Sequence, residues 1–499
     1  MERLEMGDDR REEAGGLFSA LALKESPERI RDFLEKLAGR GEVYLTGGAV
    51  RDILHGRRVR DLDLTVVDLS PREVAEEAAR RLSFTLVPLH EEFGVFRVAR
   101  EGFTLDISGL RPGARNIEED LRLRDFTFNA LAVALSEALS RPPWAWPLID
   151  PCGGFSDLSA GIIRAISREN LRDDPLRLLR AYRFLAQGYG KPEKKTRRAI
   201  RELAPEIHRV APERVEYELR LIFETFRASE TLREMLADGL LAEIFPELYE
   251  GAGIPQPDYH HLDVLGHGLE TLSAAEGILA APERYPEFEK EIREMASDRE
   301  ALYAVKLSAL FHDAGKSRTF SPAGERAERI TFYEHEKESV HLFSIWAERW
   351  RVKKKVIRRV SLLIRNHMRP FFLLEAREKG RLTARAKRRL LRDCPDFPGL
   401  FVVSLSDCLA ARGPAAEPET CEKLRILFSE LKRFSQEVME KVRVKRLLTG
   451  HDLIQVLGLK PGPLFRELLT AVEEAQVEGR IKDREEALAL VREILARRR

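Results

Sequence analysis

Residues Val43 to Val67, VYLTGGAVRDILHGRRVRDLDLTVV, constrain the fold more than any other stretch of the chain. They spell a strand, a tight glycine turn, a short helix, a loop and a second strand. Strand side chains alternate faces, so Asp61 and Asp63 point one way while Leu62 and Leu64 point into a core. Two carboxylates fixed side by side repel each other unless a cation sits between them. The Gly47-Gly48 turn opens a helix that carries Arg51. It offers backbone N–H groups and the positive end of a helix dipole, which suits phosphate. A phosphate cradle one strand away from a divalent-metal site is equipment for nucleotidyl transfer.

The remainder of the first 135 residues reads as α/β: a helix from Pro71 to Leu82, then strands FTLVP, GVFRVAR and FTLDIS. In the last of these Asp106 shares the polar side with Thr104 and Ser108. Asp106 is either a third acid beside Asp61 and Asp63 or a solvated strand acid. From about Asn116 onward the pattern is helical at a 3.6-residue period almost to the end. Within it, Arg124, Asp125, Thr127 and Asn129 form a dense polar group at the start of an expected apolar helix, which Asp125 either caps or leaves for a ligand. Further on, NLRDDPLRLLRAYRF places Asp174 and Arg177 three apart on one expected helix face. Such a pair is an exposed ion pair or a reader of base edges.

A chain of 499 residues holds several domains. GAGIPQP at 251–257 is the best linker and 413–418 another. The expected layout is N-terminal helices at 1–40, an α/β head at 41–150, a helical neck and body at 151–250, a second domain at 258–412 and a helical C-terminal region at 413–499. The net charge of +1 means that a nucleic-acid partner must be met by local basic patches. From Arg349 to Arg392 basic residues far outnumber acids; this is a solvated helical face or an RNA-backbone contact. Four cysteines without CxxC spacing argue against a zinc site or a disulfide framework. No signal peptide is visible and no apolar run is long enough to span a bilayer, so the expected location is cytoplasmic.

Histidines number 11, yet seven fall between His260 and His367. They come as YHHLDVLGHGLETL, ALFHDAGK, FYEHEKESVH and LLIRNHMRP, with VVSLSDCLA following. Imidazoles and carboxylates on successive helices are what a metal in a helical bundle needs. HEKESVH lacks the HExxH spacing of zinc proteases.

The series GGAVRD…RDLDL, DLRLRDFTFNALA, LIDPCGGFSDLSAGIIRAI and DDPLRLLRAYRF resembles the bacterial class II CCA-adding tRNA nucleotidyltransferase and poly(A) polymerase family. The likeness spans roughly Val43 to Leu248, and LTGHDLIQVLGLKPGPLFRELL resembles the family's C-terminal segment. It implies an α+β architecture: a polymerase-β-like head followed by an all-α neck and body, then the helical remainder. By that resemblance Asp61 and Asp63 are catalytic acids that bind Mg²⁺, and Asp106, on the polar side of FTLDIS, is expected as the third catalytic acid. Gly47, Gly48 and Arg51 bind the triphosphate, and Arg124 and Asp125 lie by the ribose and phosphates. Asp174 and Arg177 form the template that selects CTP or ATP, and Asn129 and Arg180, in the same motifs, complete the nucleotide-binding set. The implied partners are tRNA, CTP and ATP. The histidine series resembles an HD phosphohydrolase domain, which implies His267, His312, Asp313 and Asp407 as metal ligands, with His335 and His367 as ligands of a second divalent ion.

Two departures stand out. Asp173 replaces the glutamate that usually precedes the template aspartate. Only Pro112 to Arg115 separate Arg111 from Asn116, where the family carries a flexible loop associated with switching from C to A addition. A CC-adding enzyme is therefore one alternative; a poly(A) polymerase, an HD phosphohydrolase with a relic head and an RNA-binding module are others.

Overall fold

In the computed structural model, which describes residues 17–18, 21, 27–90, 94–100, 102–322, 330–444, 447–477 and 480–496, the Val43–Val67 stretch folds as its residue order dictates. Helix α1 (Pro27–Ala38) leads to β1 (Val43–Thr46), α2 (Gly47–Leu54) and β2 (Asp61–Val66). Helix α3 (Pro71–Leu82) is bounded locally: the Ser70 hydroxyl accepts from the Glu73 N–H, Pro71 opens the first turn, and Ser83 ends it in the left-handed conformation. Of the N-terminal helices expected at 1–40, most of the stretch before Pro27 lies outside the described residues.

Strands β3 (Thr85–His90), β4 (Val95–Arg100), β5 (Phe103–Ser108) and β6 (Ala132–Ala134) complete a six-stranded sheet of order β3-β4-β5-β2-β1-β6. Strands β2 and β5 run parallel, with Asp63 opposite Asp106 and Leu62 opposite Leu105. Leu62, Leu64, Leu105 and Ile107 are buried, so the acids lie on the other face.

Strand β6 corrects the expectation that helix dominates from Asn116. A short helix α4 (Ile117–Arg122) is followed by a 3-10 turn over Thr127–Asn129, and Ala132–Ala134 then pairs antiparallel with β1. Leu131, Ala132 and Val133 are all buried. A short, fully apolar run carries no period that separates strand from helix. A second correction concerns Asp174. It is not on a helix with Arg177: α5 (Arg168–Asp173) stops before it, α6 (Leu176–Ala186) starts after it, and Asp174 itself is extended. Pro175 disfavours the helical conformation for the residue before it.

The chain forms two contact units. One comprises Met1–Thr225 with Glu230–Ile244, and the other Phe226–Ser229 with Phe245–Arg499. The first also contains α7 (Pro212–Phe223). The second is helical among the described residues. It includes α8 (Val264–Ala280), α9 (Arg299–Phe311), α10 (His335–Arg349), α11 (Lys354–Asn366), α12 (Ala384–Asp393), α13 (Phe397–Ala410) and α14 (Thr420–Val444). Its core stacks Phe288 on Phe401, with ring centroids 4.3 Å apart. Cys408 and Cys421 are joined as a disulfide, against the expectation of none; the turn between α13 and α14 brings them together, with Cα atoms 5.7 Å apart. No helix among the described residues is long and apolar enough to cross a membrane.

Candidate functional site

In the first unit a cleft of about 1420 Å³ gathers the sequence-selected residues of the head and neck. Gly47, Gly48, Arg51, Asp61, Asp63, Asp106, Arg124, Asp125, Asn129, Asp174, Arg177 and Arg180 all line it. Gly47 is held at φ +62, which strains any residue with a Cβ, and a Cβ there would stand 2.6 Å from Arg124 Nη1. Asp63 reaches the start of α2, where the Ala49 N–H donates to its carboxylate. Burial and the neighbouring Asp106 push the Asp63 carboxyl up to about 6, against the pull of Arg124.

Asp106 is not free. Arg97, opposite it on β4, forks onto it with Nε–Oδ1 of 2.8 Å and Nη2–Oδ2 of 2.7 Å. Arg97 lines the cleft and was not selected from sequence; its alternation in GVFRVAR with buried Phe96 and Val98 was the available signal.

A chain of charge-assisted bonds runs beneath the cleft. Arg51 donates to Asn129 Oδ1 at 2.6 Å and lies over the Tyr189 ring at 4.5 Å. Asn129 donates to Asp125 at 2.8 Å, and Arg180 meets the other oxygen of Asp125 at 2.7 Å. Arg183 then joins Glu218 of α7 at 2.7 Å. Burial alone would push Asp125 up, but Arg180, Asn129 and Arg177 together hold it well below the usual carboxylate range. Arg124 is paired with Asp120 at 3.2 Å. The 3-10 turn at Thr127–Asn129 is what aims Asp125 and Asn129 at this chain.

Asp174 and Arg177 line the same cleft without pairing with each other. Arg214 of α7 donates to Asp174 at 3.0 Å, while Arg177 donates to the Asn170 carbonyl at 2.9 Å. Arg214 and Glu218 sit in ERVEYEL, within the Val43 to Leu248 likeness, and neither is among the site residues expected from sequence.

The second unit holds the histidine cluster. His267, His312, Asp313 and Asp407 lie close enough to share one ion, and Asp313, His335 and His367 a second, with Asp313 common to both. All six are buried. His312, His335 and His367 each turn Nδ1 to a carbonyl of the preceding turn, at 2.8, 2.9 and 2.6 Å. That fixes their Nε2 atoms inward, as metal ligands require. His312 Nε2 and Asp313 Oδ1 have no hydrogen-bond partner, although His335 Nε2 approaches Asp313 Oδ1 at 3.2 Å. The residues fit a metal. Burial would push the His312 imidazole down, but Asp313 and Asp407 outweigh it and hold it up at about 10. Lys316 pairs with Asp313 at 2.6 Å. Gly315 permits α10 to close on this corner, because a Cβ there would be 2.3 Å from the His335 carbonyl. His260 meets His267 edge to face, with ring centroids 4.3 Å apart, and is pushed down to about 3 by burial and Lys316; it was not among the ligands expected from sequence.

Four families match the chain: the Poly A polymerase head domain at residues 43–164, the probable RNA and SrmB-binding site of polymerase A at 191–250, the HD domain at 264–411, and the tRNA nucleotidyltransferase domain 2 at 432–491. The chain is 33% identical over 462 residues to an A-adding tRNA nucleotidyltransferase of Deinococcus radiodurans, covering 90% of this chain and 94% of that one. It is 34% identical over 460 residues to a CC-adding tRNA nucleotidyltransferase of Thermus thermophilus, covering 90% and 93%. In fold it is similar to the Thermotoga maritima CCA-adding enzyme complexed with tRNA, with a TM-score of 0.58, 22% identity and coverage of 96% and 98%.

Proposed function

The chain belongs to the tRNA nucleotidyltransferase family that carries a poly(A)-polymerase-type head and an HD domain, and from that premise we propose that it extends the 3′ end of tRNA with C, A or both, releasing pyrophosphate. One observation carries the reading. The glycine turn, the paired strand acids and the Asp174, Arg177 and Arg214 group all open into one cleft, large enough for a nucleotide and an RNA end.

Divalent-metal use goes with the family. Asp61 and Asp63, with Asp106 beside them, would hold divalent metal in the head, which we take as Mg²⁺; one ion would lower the pKa of the attacking 3′-hydroxyl and a second would neutralise the leaving pyrophosphate. The chain's own residues bind and position. Arg51, fixed by Asn129 and Tyr189, and Arg124, seated beneath Gly47, present positive charge where the triphosphate would lie. Asp174 and Arg177 are offered to the base, with Arg214 steadying Asp174. Little covalent work falls to the protein, so positioning and charge dominate. The expected place of action is the cytoplasm.

A narrower reading, addition of CC alone, is favoured by the short connection from β5 to α4, in which the Ala114 N–H bonds the Arg111 carbonyl across a tight turn. The relatives that share nine-tenths of the chain are named for adding A or for adding CC, which divides the task between enzymes. The test is direct: tRNA lacking its 3′ terminus is incubated with CTP, with ATP and with both, and the products are sequenced. Stopping at CC with both nucleotides present selects the narrower enzyme. A long A tail selects a polymerase, and no extension either of this tRNA or of tRNA ending in CC refutes the proposal. The histidine cluster is read as a second, phosphohydrolase centre, and loss of phosphatase activity in Asp313→Ala is its check.

A further inference from the structure

Between Arg349 and Arg392 the chain has seventeen lysines and arginines and two glutamates, against a net charge of only +1 for the whole. The fold sorts these charges. On α11, Val356, Val360, Leu363 and Ile364 are buried. Lys354, Arg358 and Arg365 are exposed on the opposite face, at i, i+4 and i+11. That row extends about 16 Å along the helix.

The acids nearby are already used. Asp396 takes Arg359 at 2.6 Å, Asp393 takes Arg369 at 3.1 Å, and Glu300 takes Lys353 at 3.0 Å and Lys355 at 3.2 Å. Lys354, Arg358 and Arg365 have no carboxylate partner among the described residues. A row of like charges left unneutralised costs self-repulsion in the free protein, and a polyanion relieves it.

We propose that the outer face of α11 is an RNA-backbone contact that grips tRNA through its phosphates. It lies outside residues 191–250, where the RNA-binding family of polymerase A matches. RNA is favoured over an acidic protein because the row is straight and largely arginine, which suits repeated phosphate oxygens. The choice of tRNA as the RNA rests on the proposed transferase function. Phosphate contacts of this kind position the molecule without reading its sequence.

The test uses the full chain carrying Lys354→Glu, Arg358→Glu and Arg365→Glu. A control carries the same number of reversals at Lys36, Arg72 and Lys290, exposed positions elsewhere. Affinity for tRNA is measured over a range of salt concentrations. The expected result at physiological salt is a Kd raised about 10- to 100-fold over the control, with a salt slope shallower by about two to three. CMP incorporation at saturating tRNA keeps its kcat while KM for tRNA rises. If the reversals unfold the chain, the Gln versions of the same three positions are read instead. Equal Kd and equal slope in variant and control overturn the proposal, and so does a difference seen with polyglutamate but not with tRNA. If wild-type protein binds tRNA through this face yet transfers no nucleotide, the transferase reading falls and the contact stands.

Discussion

Asp63 and Asp106 face each other in register across the parallel strands β2 and β5. Neither has a local reason to be there: each is a polar residue between buried neighbours, and the first is pushed up to about 6 by burial and by the second. Asp63→Asn removes the repulsion and the metal ligand together. Transfer of CMP to tRNA falls about a thousandfold or more, while the thermal midpoint of the metal-free protein stays level or rises. A variant with near-normal turnover would sink the assignment of these acids.

Asp174 is steadied by Arg214 and not by Arg177. Asp174→Ala therefore relaxes base choice, raising misincorporation of UTP relative to CTP by about 10- to 100-fold, the range of one lost bidentate contact. Arg214→Ala has the same direction and a smaller size, about tenfold. Nucleotide-competition assays with equal CTP and UTP measure both; unchanged fidelity in Asp174→Ala would remove it from the template.

Asp125 lies well below the usual carboxylate range because Arg180, Asn129 and Arg177 outweigh its burial. A carboxylate depressed on folding adds stability that is present above its unfolded value of about 4 and lost as pH falls through the lower folded value. Urea midpoints of the wild type drop on acidification below about pH 4, and those of Asp125→Asn drop less. Parallel curves for the two would contradict the pairing.

The wholly buried Lys306 meets Glu276 at 2.9 Å, and Glu276 also accepts from the Ala228 N–H and the Ser229 hydroxyl. Lys306→Met strands that carboxylate. The expected loss is about 3–5 kcal/mol of unfolding free energy, measured by denaturant titration of the full chain. A loss below 1 kcal/mol, about the size of a surface pair, would mean that water reaches the site.

The two-centre histidine cluster offers a check that needs no substrate. Chelator-treated protein gains thermal stability on adding Mn²⁺ or Zn²⁺, by about 2.7 kcal/mol when the free ion is a hundred times its Kd. Asp313→Ala, which removes the carboxylate common to both groups, loses most of that gain. Equal gains in both proteins would assign the metal elsewhere.

The sequence was legible where local chemistry decides. Helix α3 has its cap, its proline and its end written in Ser70, Pro71 and Ser83. The alternation of Leu62 and Leu64 with Asp61 and Asp63 told which face was which. Legibility failed where distant partners decide. Ala132–Ala134 is apolar on both sides and took its form from β1. Pro175 announced that Asp174 would leave the helix, but nothing near it announced Arg214. Arg97 met Asp106 only because β4 lies beside β5. The Cys408–Cys421 link likewise depends on how α13 and α14 are brought together.

The parallel pairing of β2 with β5 also orders events during synthesis. Parallel neighbours cannot be joined by a hairpin, so α3, β3 and β4 must emerge before Asp106 reaches Asp63. Strand β1 gains its second neighbour only with β6, later still. A nascent chain that has made Asp61 and Asp63 but not β5 has not yet brought Asp106 beside them. The three acids can stand together only once β5 has paired with β2, so the chain must be made through Ser108 before they do.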